Sequence, residues 1–429
     1  MKRIATITDV VEHQLCTGCG VCAFMQPDDI VMIDDVDQGR RPIVTDGDEK
    51  QSTSEALAVC PGVGLAHDSL PTDSIDELRS TWGPVLELWE GHAADDWLRF
   101  EASSGGVSSA LAIHAIEDRG LAGLLHIRSR PDRAYLNETV LSRSRAEILS
   151  AVGSRYAPAS PCDGLHLVEA ADSPSVMIGK PCDIAGAQNA RRVRPELDEK
   201  LGLTIAVFCA GTPTLRGTFE MLEAMGITDP DTIESLRYRG HGWPGQATAT
   251  VRRPDGEVDV HSLTYEQSWG EILQRHRQWR CYVCADHTGE FADIAVGDPW
   301  YRPPSVEEPG RSLILVRSER GREMLRSAIR AGAIVAVPVD PARLPDAQPW
   351  LERVRGEAGA RAATLRLLRI PAPVYRNMPY WSVWRRVLPL RDKLRSTFGT
   401  IRRIPRKRLL QRHPARPLEP GRPAPPEER

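Results

Sequence analysis

The chain has 429 residues, 41% of them hydrophobic and 26% charged, which is long enough for two or three domains around a large core. No apolar run reaches membrane-spanning length, and the opening MKRIATITDVVEHQ lacks the apolar centre of a secretory signal. A cytoplasmic, reducing setting is therefore expected, with the nine cysteines serving as metal or redox ligands rather than disulfides.

The formal net charge of −3 hides an acidic body and a basic tail. Residues 376–429 hold fifteen Lys and Arg against four Asp and Glu, a net of +11 that leaves −14 on the rest.

Residues 1–68 read as a small Cys-containing unit. It carries Cys16, Cys19 and Cys22 in CTGCGVC, and Cys60 in CPG. Bacterial two-cluster ferredoxins use C-x-x-C-x-x-C-x-x-x-C-P twice, the fourth Cys of each run serving the other run's cluster. On that template Gln26 occupies the fourth position of the first run, followed by Pro27. Cys60 and Pro61 end the second run, whose other three positions fall on Ala56, Thr53 and Lys50. The retained cysteines are one cluster's complete set and the lost ones are the other's. A single [4Fe–4S] site on a ferredoxin-like unit follows, with a four-cysteine zinc site as the alternative. Gly18 and Gly20 suit a tight turn that aims backbone N–H groups at sulfur.

Residues 69–84, with PTDSIDELRSTWGP, read as a linker. From 85 to 338, apolar β-rich runs (VMIG, LTIAVFCAG, ADIAVGD, RSLILVRS) alternate with helical patterns, which predicts a layered α/β or α+β body. Within it, EASSGGVSSALAIHAIEDRG predicts a helix with Val107, Ala110, Leu111, His114 and Ala115 on one face and Gly120 as its stop. Ser103 or Ser104 can cap it. Gly105 and Gly106 allow close backbone approach, so the helix start can receive the phosphate of a nucleotide cofactor such as a flavin, or be a plain cap.

The remaining cysteines are Cys162, Cys182, Cys209, Cys281 and Cys284. Cys281 and Cys284 form a C-x-x-C pair, while Cys182 and Cys209 each follow an apolar strand-like run. Strand ends in a layered α/β domain can converge on one crevice. Together these four can form a second cluster site; buried structural thiols or zinc are the alternatives. Cys162 is left over as a plain thiol. Residues 339–375 read as an Arg-rich helical extension and 376–429 as a basic, Pro-rich tail. The tail's last stretch, RPLEPGRPAPPEER, is expected to be disordered.

Taken together and in order, CTGCGVC with CPG, SSGGVSSALA, GSRYAP, IGKPCDIAG, LTIAVFCAGTP, YRGHGWPG and CYVCADHTGEFADIAVGD resemble a known family over about residues 12–340. It is that of the beta subunit of coenzyme F420-reducing hydrogenase, with relatives in coenzyme F420-dependent dehydrogenases and 7-hydroxymethyl chlorophyll a reductase. The resemblance implies an FAD- and [4Fe–4S]-dependent oxidoreductase with two [4Fe–4S] clusters. The loop Ser103, Ser104, Gly105 and Gly106 would help hold FAD, and Cys182, Cys209, Cys281 and Cys284 the second cluster. GSRYAP departs from a common Gly-Ser-Lys-Tyr form by placing Arg155 at the Lys position.

On this reading the flavin converts between hydride and single-electron transfer, and the clusters carry one electron at a time. The organic partner is coenzyme F420 or, in an alternative, another small substrate reduced with electrons from ferredoxin or a similar redox protein. Arg155, Tyr156, Arg239 and His241 are the polar candidates beside the flavin. A third reading is an electron-transfer subunit with no substrate of its own. The tail, with Trp381 and Trp384 among dense Arg and Lys, suits peripheral contact with the inner face of an anionic membrane, or an acidic protein. No motif for specific nucleic-acid binding accompanies it.

Overall fold

A computed structural model describes residues 4–45, 53–68, 71, 73–253, 255–302, 308–378 and 380–418. Its centre is an eight-stranded mixed sheet. Four neighbouring strands, Leu124–Ser129, Ser175–Gly179, Leu201–Val207 and Ile294–Gly297, run parallel. Asn137–Ser142 closes one edge antiparallel. On the other side Ser312–Val316, Glu87–Ala93 and Ile334–Pro338 follow, each antiparallel to its neighbour.

The strands are apolar on both faces because both faces are covered. Leu124, Val176, Ile205, Ile294 and Ile314 enter one core, shared with Val107 and Leu111 of helix Val107–Glu117 and Leu325 of helix Glu319–Arg330. Leu125, Met177, Ala206, Ala295 and Leu313 enter the opposite core, with Ile184 and Ala187 of helix Pro181–Arg191. The period-2 alternation thus sorts each strand between two layers.

The N-terminal segment has short helices at Ile7–Glu12, Val21–Met25 and Ser54–Val59 and a hairpin of Ile30–Asp35 with Gly39–Val44. Its Cys19, Val21, Phe24 and Val59 belong to the same core as the sheet's second face. The stretch expected as a linker contains helix Asp76–Trp82, whose Leu78 and Trp82 are buried in that core. Two large apolar side chains one helical turn apart are what a free linker lacks.

Within the body, Ile233–Arg237, Gln246–Arg252 and Val258–Thr264 form a separate antiparallel sheet. The Arg-rich segment folds as helix Pro349–Leu367, its centre buried. Strand Val374–Arg376 then pairs in parallel with Gly64–Ala66. Helices Tyr380–Arg386 and Leu390–Arg406 follow.

Beyond them the chain returns along the N-terminal segment. The His413 N–H donates to the Glu12 carbonyl at 3.0 Å and the Leu418 N–H to the Asp34 carbonyl at 2.8 Å. Arg416 N–H donates to Asp35 Oδ2 at 2.7 Å. Residues 416–418, expected to begin a disordered end, are therefore fixed by backbone hydrogen bonds; 419–429 lie outside the described residues. Among the described residues no helix is long and apolar enough to cross a membrane.

Candidate functional site

Cys16 and Cys19 lie in the irregular segment before helix Val21–Met25, Cys22 lies within that helix, and Cys60 ends helix Ser54–Val59. Burial, then the neighbouring Cys16, Cys19 and Cys60 thiols, push the Cys22 thiol well up. Burial, then Cys19 and Cys16, push Cys60 up to about 12. Each of these thiols is thus within electrostatic reach of others of the set. Gly18 and Gly20 have φ of +75° and +87°, the left-handed region that glycine occupies freely. The Gly18 N–H donates to Cys16 Sγ at 3.3 Å. The template's lost positions are filled by packing: Thr53 and Ala56 are fully buried, and Ala56 N–H donates to Gln26 Oε1 at 3.4 Å. Lys50 lies outside the described residues.

The second set also converges. Cys182 starts helix Pro181–Arg191, Cys209 follows strand Leu201–Val207, and Cys281 and Cys284 flank the end of the short helix Trp279–Tyr282. All four line one small cavity with Thr17, Arg280 and His287. Backbone N–H groups point at the sulfurs, from Gly211 to Cys209 at 3.4 Å and from Thr212 to Cys281 at 3.3 Å. Burial pushes Cys209 up to about 12 and Cys284 to about 11. Among the described residues no three Cys, His, Asp or Glu side chains are grouped to hold one metal ion.

The two groups adjoin. Arg280 acts electrostatically on Cys16 of the first and on Cys284, Cys182 and Cys281 of the second. Thr17, between Cys16 and Cys19, lines the second group's cavity. Cys162, read as a plain thiol, is fully buried beside the first group. Its N–H donates to the Cys19 carbonyl at 2.9 Å and its Sγ to the Asp183 carbonyl at 3.1 Å.

A cavity of about 350 Å³ opens at the C-terminal ends of the parallel strands, at Gly179, Val207 and Gly297, where open α/β sheets bind ligands. Ser103, Ser104, Gly106 and the first turn of helix Val107–Glu117 form one wall. Tyr156, Arg239, Tyr265, Trp269 and Trp300 form an aromatic wall. Cys209, Gly211 and Thr212 line this cavity and the second thiol group's cavity alike.

The helix start differs from its expected form. Gly106, at φ +74°, is the N-cap, with no side-chain cap. The Ser103 hydroxyl donates to the Arg239 carbonyl at 3.0 Å and accepts the Ser154 N–H at 2.8 Å. Ser104 donates to the Arg311 carbonyl at 3.1 Å. A Cβ on Gly105, at φ +70°, would lie 2.8 Å from Arg311 Cα, so the neighbouring loop already demands glycine there.

Arg155 lines the cavity, but its guanidinium donates to the carbonyls of Leu236, Ala134 and Leu136 at 2.8, 2.7 and 3.2 Å. Those bonds lock the fold and leave little for a ligand. Tyr156 is on the wall, its ring 5.0 Å from Trp269. His241 is 45% exposed, 3.3 Å from Glu101, and is not on the cavity wall. Arg239 is buried in a two-bond pair with Asp298, both at 2.8 Å, and stands over the rings of Tyr265 and Trp300 at 5.1 and 5.6 Å.

Sequence reading missed Asp298, Trp300 and Lys180. The first two lie in GDPW just past an apolar strand, a strand-end signal like that of Cys182 and Cys209. Lys180 precedes Cys182 by two positions; its Nζ is 2.7 Å from Asp183 Oδ2 on the cavity wall.

Two family models match. They describe the N-terminal and C-terminal parts of the coenzyme F420 hydrogenase/dehydrogenase beta subunit, and cover residues 88–165 and 174–342 respectively. The F subunit of the F(420)H(2) dehydrogenase of Methanosarcina mazei is 24% identical over 323 residues, 74% of this chain and 83% of the relative. Coenzyme F420-dependent sulfite reductase of Methanocaldococcus jannaschii is 22% identical over 334 residues, 74% of this chain but 46% of the relative. A chain of the F420-reducing [NiFe] hydrogenase complex from Methanosarcina barkeri shares the fold, with a TM-score of 0.50 at 18% identity, over 66% of this chain and 94% of that one. With both models matching in order across the sheet and the second thiol group, the chain belongs to the family of coenzyme F420 hydrogenase/dehydrogenase beta subunits.

Proposed function

We propose that this protein is an iron–sulfur flavoprotein oxidoreductase that exchanges electrons with coenzyme F420 through FAD and two [4Fe–4S] clusters. The observation that carries the reading is that Cys209 belongs to two walls at once, those of the large cavity and of the second thiol group. A cofactor in the cavity would abut the cluster site, and Arg280 links that site to the first.

The residues fit the groups. The cavity lies in the range of small-molecule sites. The first turn of the 11-residue helix Val107–Glu117 offers backbone N–H groups with no side-chain cap, which suits a pyrophosphate. The aromatic wall suits a planar ring. Each thiol group has the four-cysteine donor set and N–H···S bonds that an iron–sulfur cluster uses.

When bound, FAD supplies the exchange between hydride and single electrons. The chain's own residues bind and orient. Asp298 holds the Arg239 guanidinium against Tyr265 and Trp300, a rigid cationic edge for an anionic or electron-rich partner. Lys180 brings a charge, fixed by Asp183, to the wall next to Cys182 and Cys209. Cys16, Cys19 and Cys22 are buried and the other five proposed ligands half-buried, which would limit the access of water to both clusters.

The test is anaerobic purification followed by titration with reduced coenzyme F420 and, separately, reduced ferredoxin. Bleaching of flavin and cluster absorbance by reduced coenzyme F420 supports the reading. Bleaching by ferredoxin alone favours reduction of another organic substrate. The relative that is one subunit of a dehydrogenase favours a second reading, an electron-transfer subunit. Strict dependence of turnover on a second polypeptide would establish it in place of the first.

A further inference from the structure

Helix Leu390–Arg406 lies on the outside of the molecule. Its inner face is Ser396, Thr400 and Ile404, all buried, and it packs on helix Pro349–Leu367. Trp384 Nε1 donates to Ser396 Oγ at 3.1 Å and ties the preceding helix to it.

The outer face is apolar. Leu390, Leu394, Phe398 and Ile401 are 70%, 48%, 61% and 44% exposed, and Val387, just before the helix, is 45% exposed. At about 100° per residue the four helix positions Leu390, Leu394, Phe398 and Ile401 fall within about 80° of arc, one unbroken stripe. From Leu390 to Ile401 it runs about 17 Å at 1.5 Å per residue. Single exposed apolar residues need no explanation, but a continuous stripe does.

Arg391, Arg395, Arg402 and Arg406 form a second row beside the stripe, all four exposed. Among the described residues none of them forms an ion pair. Asp392 is the helix's one acidic residue.

We infer that this helix seats the protein on an anionic lipid surface, with the stripe among the acyl chains and the arginine row among the headgroups. Charge complementarity selects the occupant. Four parallel cations beside an apolar stripe match a laterally uniform anionic plane, the pattern of a helix lying in an interface. Each such cation adds to the attraction of an anionic leaflet, and the four act together. The helix does not cross the bilayer.

The experiment uses the full chain and point variants. Truncating the tail would also remove strand Val374–Arg376 and the return along the N-terminal segment. Flotation is measured with vesicles of phosphatidylcholine alone and of phosphatidylcholine mixed with phosphatidylglycerol. The expected result is flotation with the anionic vesicles alone. Leu394→Asp with Phe398→Asp, and separately Arg391, Arg395, Arg402 and Arg406 all to Gln, should each lower binding at least about tenfold. Because these side chains are exposed, iron content and melting temperature should hold; Phe398→Ser alone serves if the double variant misfolds.

Absence of flotation with anionic vesicles overturns the inference. So does flotation abolished by the arginine changes but indifferent to the apolar ones, which is charge adsorption without a seated stripe. A dimer that the apolar changes dissociate, with no vesicle binding, assigns the stripe to a second copy instead.

Discussion

Arg280 donates a hydrogen bond to the Pro61 carbonyl at 3.0 Å, one residue past Cys60, while its charge also acts on Cys182, Cys281 and Cys284. One buried guanidinium therefore serves both thiol groups. A cation close to a cluster favours its reduced, more negative state. Arg280→Met should lower the midpoint potential of both centres, and Arg280→Lys should lower them less. Redox titration followed by electron paramagnetic resonance reads each centre. A shift in one centre alone would remove Arg280 from its place between them.

Metal content follows from the two thiol groups. Anaerobic protein should hold about eight irons per chain, and Cys60→Ser or Cys209→Ser about four. Because Cys19 shares a core with the sheet, the Cys60 variant should also melt at a lower temperature. Stoichiometric zinc without iron would contradict both cluster assignments.

Gly105→Ala tests the helix start. The left-handed backbone and the 2.8 Å approach to Arg311 Cα make the substitution costly by about 1–3 kcal/mol, with or without flavin. Equal destabilisation of flavin-free and flavin-bound protein is expected in thermal melting. Loss confined to the flavin-bound form would mean that the glycine serves the cofactor rather than the Arg311 loop.

Burial holds His126 down to about 4, with Arg128 adding to the effect. In the unfolded chain a histidine titrates near 6.5. Between these values the unfolded state binds the extra proton, so stability present above pH 6.5 is lost as pH falls toward 4. By pH 5 the loss reaches about 2 kcal/mol. His126→Gln should flatten the fall in melting temperature between pH 7 and 5. An unchanged slope would show that His126 is protonated in the folded protein.

The two sets of four cysteines could be named from sequence because cysteine spacing and strand-end position are local signals. Cys16, Cys19 and Cys22 fall within seven residues of sequence, and Cys182 and Cys209 each follow a strand that the apolar runs had already marked. The parallel strands were legible for the same reason, since both their faces are buried. What failed was non-local. Nothing around Gly105 announces that Gly310 and Arg311 press against it. Arg155 sat in a suggestive motif, yet its donors are spent on carbonyls as distant in sequence as Leu236. Trp82 read as part of a linker until the sheet supplied the core it fills.

The pairing of Gly64–Ala66 with Val374–Arg376 has a biosynthetic consequence. Asn377 donates to the His67 carbonyl at 2.7 Å across 310 positions, so the segment holding Cys60 meets its partner strand only when nearly the whole polypeptide has left the ribosome. N-terminal units ordinarily complete first during synthesis. Here the segment that ends in Cys60 gains its last strand partner late, so any cluster it takes up would be closed in only after residue 376 is made.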